Sequence, residues 1–248
     1  MKTYNKLISM SKERANYFCL LDPDKMTEEQ AIEISRTCQE NGADGLLVGG
    51  SIMVNNNFES NLKTIKETVD IPVLIFPGIF NFVSPFADAL LLLSVVTSRN
   101  PQMLIGEQVR AAPLIKHHNL EAIGTAYMLI ESGNSTSVHF MSGSMPLPRT
   151  KNDIAVAHAL AAYYLGMKLI YMDAGSGAKF PITSQMISAV KENVPLPMIL
   201  GGGIQNPDEA AEKAAAGADF IVTGNILEKN TDPKLIKEFA DAIHRIKR

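Results

Sequence analysis

The chain has 248 residues, 46% of them hydrophobic, which is enough for one large domain with a sizeable core but leaves no room for a second. Its 26 acidic and 23 basic side chains are interspersed and leave a net charge of −3, which argues against nucleic acid as the main partner. The longest apolar run, residues 87–96, contains an aspartate and is too short to span a bilayer. With two cysteines that lack zinc-ligand spacing and no recognisable signal peptide, we expect a cytoplasmic protein with reduced thiols.

Apolar runs alternate with helical patterns along the chain, which predicts a parallel sheet. The runs are continuous, as expected of strands that are buried on both faces. The eight predicted strands are Tyr17–Leu21, Gly45–Val48, Val73–Phe76, Ala89–Leu93, Ala122–Leu129, Leu169–Met172, Met198–Leu200 and Phe220–Thr223. Because a (β/α)₈ barrel of the TIM type takes about 250 residues, the chain is predicted to form one such domain over residues 1–248.

Seven helices are predicted between and after these strands. Several have start signals: Thr27 and Gln30 have the spacing of a capping box, and Asn206 and Asp232 each precede a proline at the first helical position. The predicted helices are Thr27–Asn41, Phe58–Thr68, Pro101–His118, Lys151–Leu165, Thr183–Asn193, Asp208–Ala216 and Pro233–Arg245.

The third outer helix of the barrel is predicted to be replaced by a loop. Residues 77–88 contain two prolines and a glycine, which interrupt any helical run. The predicted barrel therefore has an opening in its wall, close to Phe80, Phe82 and Phe86. Two interpretations stay open: the three rings fill the gap, or they line an access groove for a long apolar ligand.

Two glycine-rich turns near the end of the chain predict a phosphate site. Gly202 and Gly203 follow the seventh strand, and Gly224 and Asn225 follow the eighth. Glycines leave backbone N–H groups uncovered, so that a phosphate can approach them closely. A phosphate site after strands seven and eight is typical of this barrel.

The turn after the sixth strand combines a carboxylate with a loop of small residues. Asp173 precedes the sequence Ala-Gly-Ser-Gly-Ala over residues 174–178. Gly175, Ser176 and Gly177 can offer N–H groups to an oxyanion. Asp173 is then placed to take a hydrogen bond or a proton from a hydroxyl group of the same ligand.

Polar side chains also follow the first, second and fourth strands. Asp22 ends the first strand, and carboxylates at this position face the active site of such barrels. With the Ser51 hydroxyl after the second strand it can hold Mg²⁺, although both residues also suit plain turns. Arg99 lies on the same rim and can contact a diphosphate.

Taken in order, these stretches resemble the geranylgeranylglyceryl phosphate synthase family over nearly the whole chain. The resemblance is carried by Leu-Asp-Pro-Asp-Lys at 21–25, Gly-Gly-Ser at 49–51, Ser-Arg-Asn-Pro at 98–101, Tyr-Met-Asp-Ala-Gly-Ser-Gly at 171–177, and the two glycine turns. The missing third helix is a trait of the family. Leu20, two positions before Asp22, matches the branch that lacks a lysine there, and Asp173 stands where many relatives have glutamate.

The resemblance implies a prenyltransferase that joins sn-glycerol 1-phosphate to a polyprenyl diphosphate, of geranylgeranyl length, and releases diphosphate with Mg²⁺. It implies Asp22 and Ser51 as metal ligands, and Asp173, aided by Tyr127, as the catalytic pair. A homo-oligomer and peripheral membrane contact through the lipid substrate are further expectations. The residues expected to bind the substrates are Arg99, Tyr171, Met172, Asp173, Ala174, Gly175, Ser176, Gly177, Gly202, Gly203, Gly224 and Asn225.

The main alternative is another phosphate-binding enzyme of this fold, such as an isomerase or aldolase of sugar or amino-acid biosynthesis. These enzymes share the glycine turns, but they usually keep all eight helices and use lysine or paired acid–base residues at strand ends. No predicted strand here ends in a lysine. A second alternative is a barrel that binds phosphate without turnover, which would need no metal.

Overall fold

Eight parallel strands form a closed barrel in the computed structural model, which describes residues 2–50, 57–78, 82–224 and 232–248. Each strand pairs with the next in chain order, and the last pairs with the first. The predicted (β/α)₈ barrel is thus confirmed. The strands are β1 Asn16–Leu21, β2 Gly45–Val48, β3 Val73–Ile75, β4 Ala89–Val95, β5 Ala122–Leu129, β6 Leu169–Asp173, β7 Met198–Gly201 and β8 Phe220–Thr223.

All seven predicted helices are present, and the capping box of Thr27 and Gln30 is formed at the start of the second helix of the chain. The segment predicted as a helix from Pro101 begins with a wide π-helical turn, Gln102–Gly106. A 3₁₀ turn, Pro23–Lys25, follows β1. The helices of the described residues are α1 Lys2–Glu13, α2 Glu28–Glu40, α3 Phe58–Thr68, α4 Glu107–His118, α5 Ser137–Ser142, α6 Asn152–Tyr164, α7 Ser184–Asn193, α8 Pro207–Ala215 and α9 Pro233–His244.

Helix α1 is a difference from the prediction, which places no helix before β1. The backbone N–H groups of Thr3 and Tyr4 each donate to the Glu121 carboxylate at 2.9 Å. Leu7 is buried against the residues that fill the barrel interior. The helix is therefore stabilised by a cap and a hydrophobic contact that are both distant in sequence, and no local start signal indicates it.

The loop predicted in place of the third outer helix is confirmed for the described residues between β3 and β4, 76–78 and 82–88, which form no helix. Phe82 packs on Phe58 of α3 with ring centroids 5.0 Å apart. Phe86 lies under the Lys63 ammonium at 5.5 Å. These two rings fill the barrel wall, whereas Phe80 lies outside the described residues.

The sheet is open between β3 and β4 near the carboxyl ends of the strands. Within the described residues, β3 pairs with β4 only through Ala89 and Leu90. From Leu91 to Val95, β4 pairs with β5 alone. The short β3 thus leaves a gap on the rim where active sites of this fold lie.

None of the helices in the described residues has the length and hydrophobicity of a membrane-spanning segment.

Candidate active site

A cavity of about 740 Å³ opens at the carboxyl ends of the strands. Every strand or the turn after it contributes to its lining, as expected for the catalytic face of this fold. Representative residues, in strand order from β1 to β8, are Asp22, Gly50, Phe76, Val95, Tyr127, Asp173, Gly202 and Gly224.

Three buried carboxylates line this cavity, Asp22, Glu107 and Asp173, and Asp173 ends β6. One of its oxygens, Oδ2, accepts the Tyr127 hydroxyl hydrogen bond at 2.5 Å, and Oδ1 accepts the Gly175 N–H at 2.7 Å. The register of β5 and β6, which puts Tyr127 beside Tyr171, brings the phenol and the carboxylate to the same rim. Each carboxylate oxygen keeps a further lone pair for a ligand hydroxyl.

Burial shifts the acid–base properties of this group. It raises the pKa of Asp173 above the ordinary carboxyl value, while the hydrogen bonds from Tyr127 and Gly175 act in the opposite direction. Burial, and next the nearby Asp173 charge, raise the pKa of Tyr127 and Tyr171 well above that of a free phenol. Both tyrosines therefore stay neutral, and the Asp173 carboxylate can accept a proton.

Three aromatic rings lie beside the carboxylate. Phe76 stacks on Tyr171 with ring centroids 5.0 Å apart, and Tyr127 lies 5.6 Å from Tyr171. All three residues line the cavity. Their π faces offer a surface that attracts positive charge.

The glycine turns after β6 and β7 meet directly. Gly202 has a φ of +82°, and a Cβ there would lie 2.7 Å from the Gly175 nitrogen and 2.8 Å from Asp173 Oδ1. At Gly203, with φ +75°, a Cβ would lie 2.8 Å from the Pro181 nitrogen. Only glycine fits both the backbone conformation and the space. The two turns therefore form one concave wall of backbone groups, the kind of surface that binds an anion.

Asp22 lines the cavity from the turn after β1. Its position is compatible with both interpretations of the sequence, a metal ligand and a residue that stabilises the turn. Its Oδ1 accepts the Asp24 N–H at 3.2 Å, and its Oδ2 pairs with Lys25 Nζ at 3.1 Å. A Cβ at Gly50 would lie 2.8 Å from this carboxylate, so the β2 turn approaches it closely. Among the described residues, no three His, Cys, Asp or Glu side chains cluster as metal ligands.

We call the part of the cavity lining beside the gap between β3 and β4 the apolar arm. It is lined by Pro77 and Gly78 on one side and by Leu93, Val95 and Met103 on the other. At its margin Gln108 donates to the Leu93 carbonyl, which faces this gap in the sheet. The Gln108 Oε1 atom is buried without a hydrogen-bond partner. The arm is apolar apart from this margin, where the buried Glu107 also lines the cavity, and it suits a hydrocarbon chain.

A model of the PcrB family matches residues 8–243. The chain belongs to the PcrB family. It is 44% identical over 244 residues to geranylgeranylglyceryl phosphate synthase of Chitinophaga pinensis, with 98% of this chain and 96% of the relative covered. The wild-type GGGPS from Thermoplasma volcanium superimposes with a TM-score of 0.94 at 31% identity over all of both chains.

A second solved structure is described with a ligand. It is (S)-3-O-geranylgeranylglyceryl phosphate synthase from Thermoplasma acidophilum in complex with its substrate sn-glycerol-1-phosphate. Its TM-score is 0.95 at 30% identity, over 99% of this chain and 100% of that one. These comparisons confirm the resemblance to the geranylgeranylglyceryl phosphate synthase family that the sequence motifs indicate.

The structure brings most of the residues expected to act at the site to the cavity. Asp173 and Tyr127, expected as the catalytic pair, are in direct contact. Ser51 and Asn225 lie outside the described residues. The expected residues that line the cavity are Asp22, Tyr127, Tyr171, Asp173, Gly175, Ser176, Gly177, Gly202, Gly203 and Gly224.

Three expected substrate contacts do not line the cavity. Met172 alternates with Tyr171 along β6, so its side chain packs in the outer core of the PcrB-family barrel. The Ala174 N–H donates to the Gly201 carbonyl and ties β6 to β7. Arg99 turns back on its own loop, where its guanidinium donates to the Ser98 carbonyl at 2.9 Å and to that of Val96 at 3.4 Å.

Sequence reasoning missed Phe76 and the residues contributed by α5. Phe76 ends the predicted third strand, so its position on the rim is readable from the strand pattern. Ser137, Val138 and Ser142 line the cavity from α5. This helix has only six residues, too few to show a helical period.

Proposed function

We propose that this chain is a prenyltransferase that joins sn-glycerol 1-phosphate to a polyprenyl diphosphate, forming an ether-linked prenylglyceryl phosphate and diphosphate. The observation that carries the proposal is one cavity whose lining has two unlike parts. Glycine turns and the Asp173 carboxylate form one part of its lining, and the apolar arm forms another. The name of the Chitinophaga pinensis relative and the substrate of the Thermoplasma acidophilum structure support it.

The phosphate of glycerol phosphate would bind the glycine turns. Gly177, Gly202 and Gly203 line the cavity, and the absence of side chains would let the phosphate approach their N–H groups. Binding there fixes the glycerol next to Asp173. Holding two reactants in the right orientation can supply a large part of the reduction in activation free energy.

Asp173 would accept the proton of the attacking hydroxyl group. The hydroxyl oxygen forms a bond to the allylic carbon, the bond from that carbon to diphosphate breaks, and the electron pair leaves with diphosphate. The proton passes to an Asp173 oxygen, and the Tyr127 hydroxyl and Gly175 N–H hold the carboxylate in place. Phe76 and Tyr171 would face the positive charge that develops on the allylic carbon.

The residues fit Mg²⁺ bound through the substrate. Magnesium is often held by one or two carboxylates together with substrate phosphates, and Asp22 supplies such a carboxylate in the lining. Ser51, the other expected ligand, lies outside the described residues. Bound Mg²⁺ supplies charge neutralisation for the leaving diphosphate. Lys25, paired with Asp22, holds the carboxylate in its present orientation.

The proposal also includes the cytoplasm as the place of reaction, a homo-oligomer and membrane contact through the lipid substrate. Cys19 and Cys38 are free thiols, as in cytoplasmic proteins. Exposed apolar side chains on the π turn and α4, Ile105, Val109 and Leu114, support association with a second copy.

The proposal is tested with radiolabelled sn-glycerol 1-phosphate and prenyl diphosphates of several lengths, with and without Mg²⁺. Label should enter the organic phase only when both substrates and the enzyme are present. Label that stays in the aqueous phase with every chain length would contradict the proposal. Turnover of a sugar phosphate or amino-acid precursor by the same preparation would favour the isomerase or aldolase alternative.

Gly202→Ala is expected to raise the KM for glycerol phosphate by about 10–100-fold. This is the effect of losing one or two hydrogen bonds to a charged group. The new Cβ would lie 2.8 Å from Asp173 Oδ1 and occupy the wall of the cradle. Gly166→Ala is the matched control, because Gly166 has the same φ of +82° with nothing within 4 Å of the added Cβ. Equal effects of the two variants would mean that backbone strain, and not the cradle, is responsible.

Val95→Phe is expected to lower kcat/KM for a geranylgeranyl chain by about tenfold relative to a geranyl chain, because overpacking narrows the apolar arm. Val95 lines the arm. Val96→Phe adds the same volume at the next residue, which packs in the outer core. Steady-state kinetics with both chain lengths separate the variants. A loss that is equal for long and short chains would remove the arm from the binding of the tail.

A further inference from the structure

The loop between β6 and α7 is held from outside the cavity by side chains of the connection between β5 and α6. Asn134 bridges two points of this loop. Its Oδ1 accepts the Lys179 N–H at 2.8 Å, and its Nδ2 donates to the Gly177 carbonyl at 3.2 Å. The amide thus fixes the peptide that follows Gly177, in the turn that the Ala178 N–H closes on the Gly175 carbonyl.

Arg149 holds the same loop further along. Its Nε and Nη2 atoms both donate to the Pro181 carbonyl, at 3.2 Å and 3.0 Å. Its guanidinium carbon lies 5.3 Å from the centre of the Phe180 ring, and Lys179 Nζ lies 5.2 Å from that centre. The Phe180 N–H donates to the Ser132 carbonyl at 3.0 Å. The part of the loop beyond Gly177 is therefore fastened by both its backbone and its ring.

These contacts reach the phosphate cradle through direct packing. A Cβ at Gly203 would lie 2.8 Å from the Pro181 nitrogen and 2.9 Å from the Phe180 carbonyl carbon. A Cβ at Gly202 would lie 2.7 Å from the nitrogen of Gly175, at the start of the loop. Any displacement of the loop would thus change the spacing of the two turns that face the cavity.

We infer that Asn134 and Arg149 are positioning residues for the phosphate of glycerol phosphate, an inference that rests on the proposed function. Neither side chain lines the cavity, so they act through the loop. A glycine-containing loop loses more conformational freedom on ordering than other loops. Side chains that order it before the ligand arrives raise affinity without touching the ligand.

The test uses Asn134→Ala and Arg149→Met in the full-length protein. Each should raise the Kd for sn-glycerol 1-phosphate, measured by calorimetry, by about tenfold, the effect of losing one or two hydrogen bonds that order the loop. The KM for glycerol phosphate should rise with it. The kcat at saturating glycerol phosphate and the KM for the prenyl diphosphate should change by less than about twofold. Arg149→Lys, which can still donate one hydrogen bond to Pro181, should fall between wild type and Arg149→Met.

Two control variants separate positioning from other effects. Ser135→Ala removes an exposed hydroxyl beside Asn134 whose contact is with His139, and it should bind like wild type. Lys179→Met removes the positive charge that lies over the Phe180 ring. It keeps the hydrogen bond from the backbone N–H of residue 179 to Asn134. If Lys179→Met weakens binding as much as Arg149→Met, long-range charge explains the effect and the inference about Arg149 is wrong.

Hydrogen exchange gives a readout that needs no substrate. Without ligand, amides in 174–183 should exchange faster in Asn134→Ala and Arg149→Met, while those of β6 and β7 stay as in wild type. Unchanged loop exchange and unchanged Kd would overturn the inference, and so would equal losses in kcat and in both KM values. If wild type itself neither binds glycerol phosphate nor forms product, the proposed function fails, and loop exchange still reports whether the two side chains hold the loop.

Discussion

Asp173→Asn is expected to lower kcat by about 10²–10⁴-fold, the range attributed to loss of a positioned general base. The asparagine can still accept the Gly175 N–H and contact Tyr127, so the local geometry should survive. It cannot take the proton of the glycerol hydroxyl. Calorimetry should show that glycerol phosphate still binds, because the glycine turns are intact.

Tyr127→Phe is the comparison that separates the base from its support. It removes the hydroxyl bonded to Asp173 and keeps the ring beside Tyr171. We expect a smaller loss in kcat, about tenfold, because the carboxylate remains and loses only one hydrogen bond. If Asp173→Asn is as active as Tyr127→Phe, the carboxylate is not the proton acceptor.

Asp173→Asn should also be more stable than wild type near neutral pH. Because burial raises the pKa of Asp173 in the folded state, its contribution to stability is fully present below the unfolded pKa and is lost as pH rises through the folded pKa. Asparagine is neutral throughout. Thermal melts between about pH 3 and pH 8 should therefore show a gain in melting temperature that disappears at the acid end. A gain that is equal at every pH would rule out titration of Asp173 as its cause.

The strand ends could be predicted because of the way a parallel barrel buries its strands. Strands covered on both faces form continuous apolar runs, and the residues after each run lie on one rim. This rule predicts Asp22, Asp173, Gly202 and Gly224 on that rim, and all four line the cavity. The position of a residue along a strand thus fixes its height in the barrel.

The direction of a side chain in a loop could not be predicted in the same way. Arg99 lies on the expected rim, but its guanidinium binds carbonyl groups of its own turn. Helix α1 depends on Glu121, which is 118 residues away from Thr3. Asn134 acts on Gly177 across 43 residues. Such contacts arise only when the closed barrel brings distant loops together, and no local pattern encodes them.

Asp22→Asn is expected to lower Mg²⁺-dependent kcat by about 10³-fold, since a metal that neutralises a leaving group contributes several kcal/mol. The KM for glycerol phosphate should stay within about twofold, because Asp22 bonds to Lys25 and the Asp24 N–H and, in the described part of the chain, to neither Gly202 nor Gly224. The amide oxygen can still cap the turn after β1, so folding should be retained. Turnover against Mg²⁺ concentration measures the effect.

Lys25→Met decides whether Asp22 serves the metal or only the turn. It breaks the same ion pair of 3.1 Å and keeps the carboxylate. If Asp22 holds Mg²⁺, Lys25→Met should keep most of its kcat and reach half-maximal activity at equal or lower Mg²⁺, because a competing positive charge is gone. If instead the ion pair is what matters, the two variants should lose activity alike. Isothermal titration with Mg²⁺ and inorganic diphosphate provides the same comparison without turnover: wild type and Lys25→Met should bind the metal, and Asp22→Asn should not.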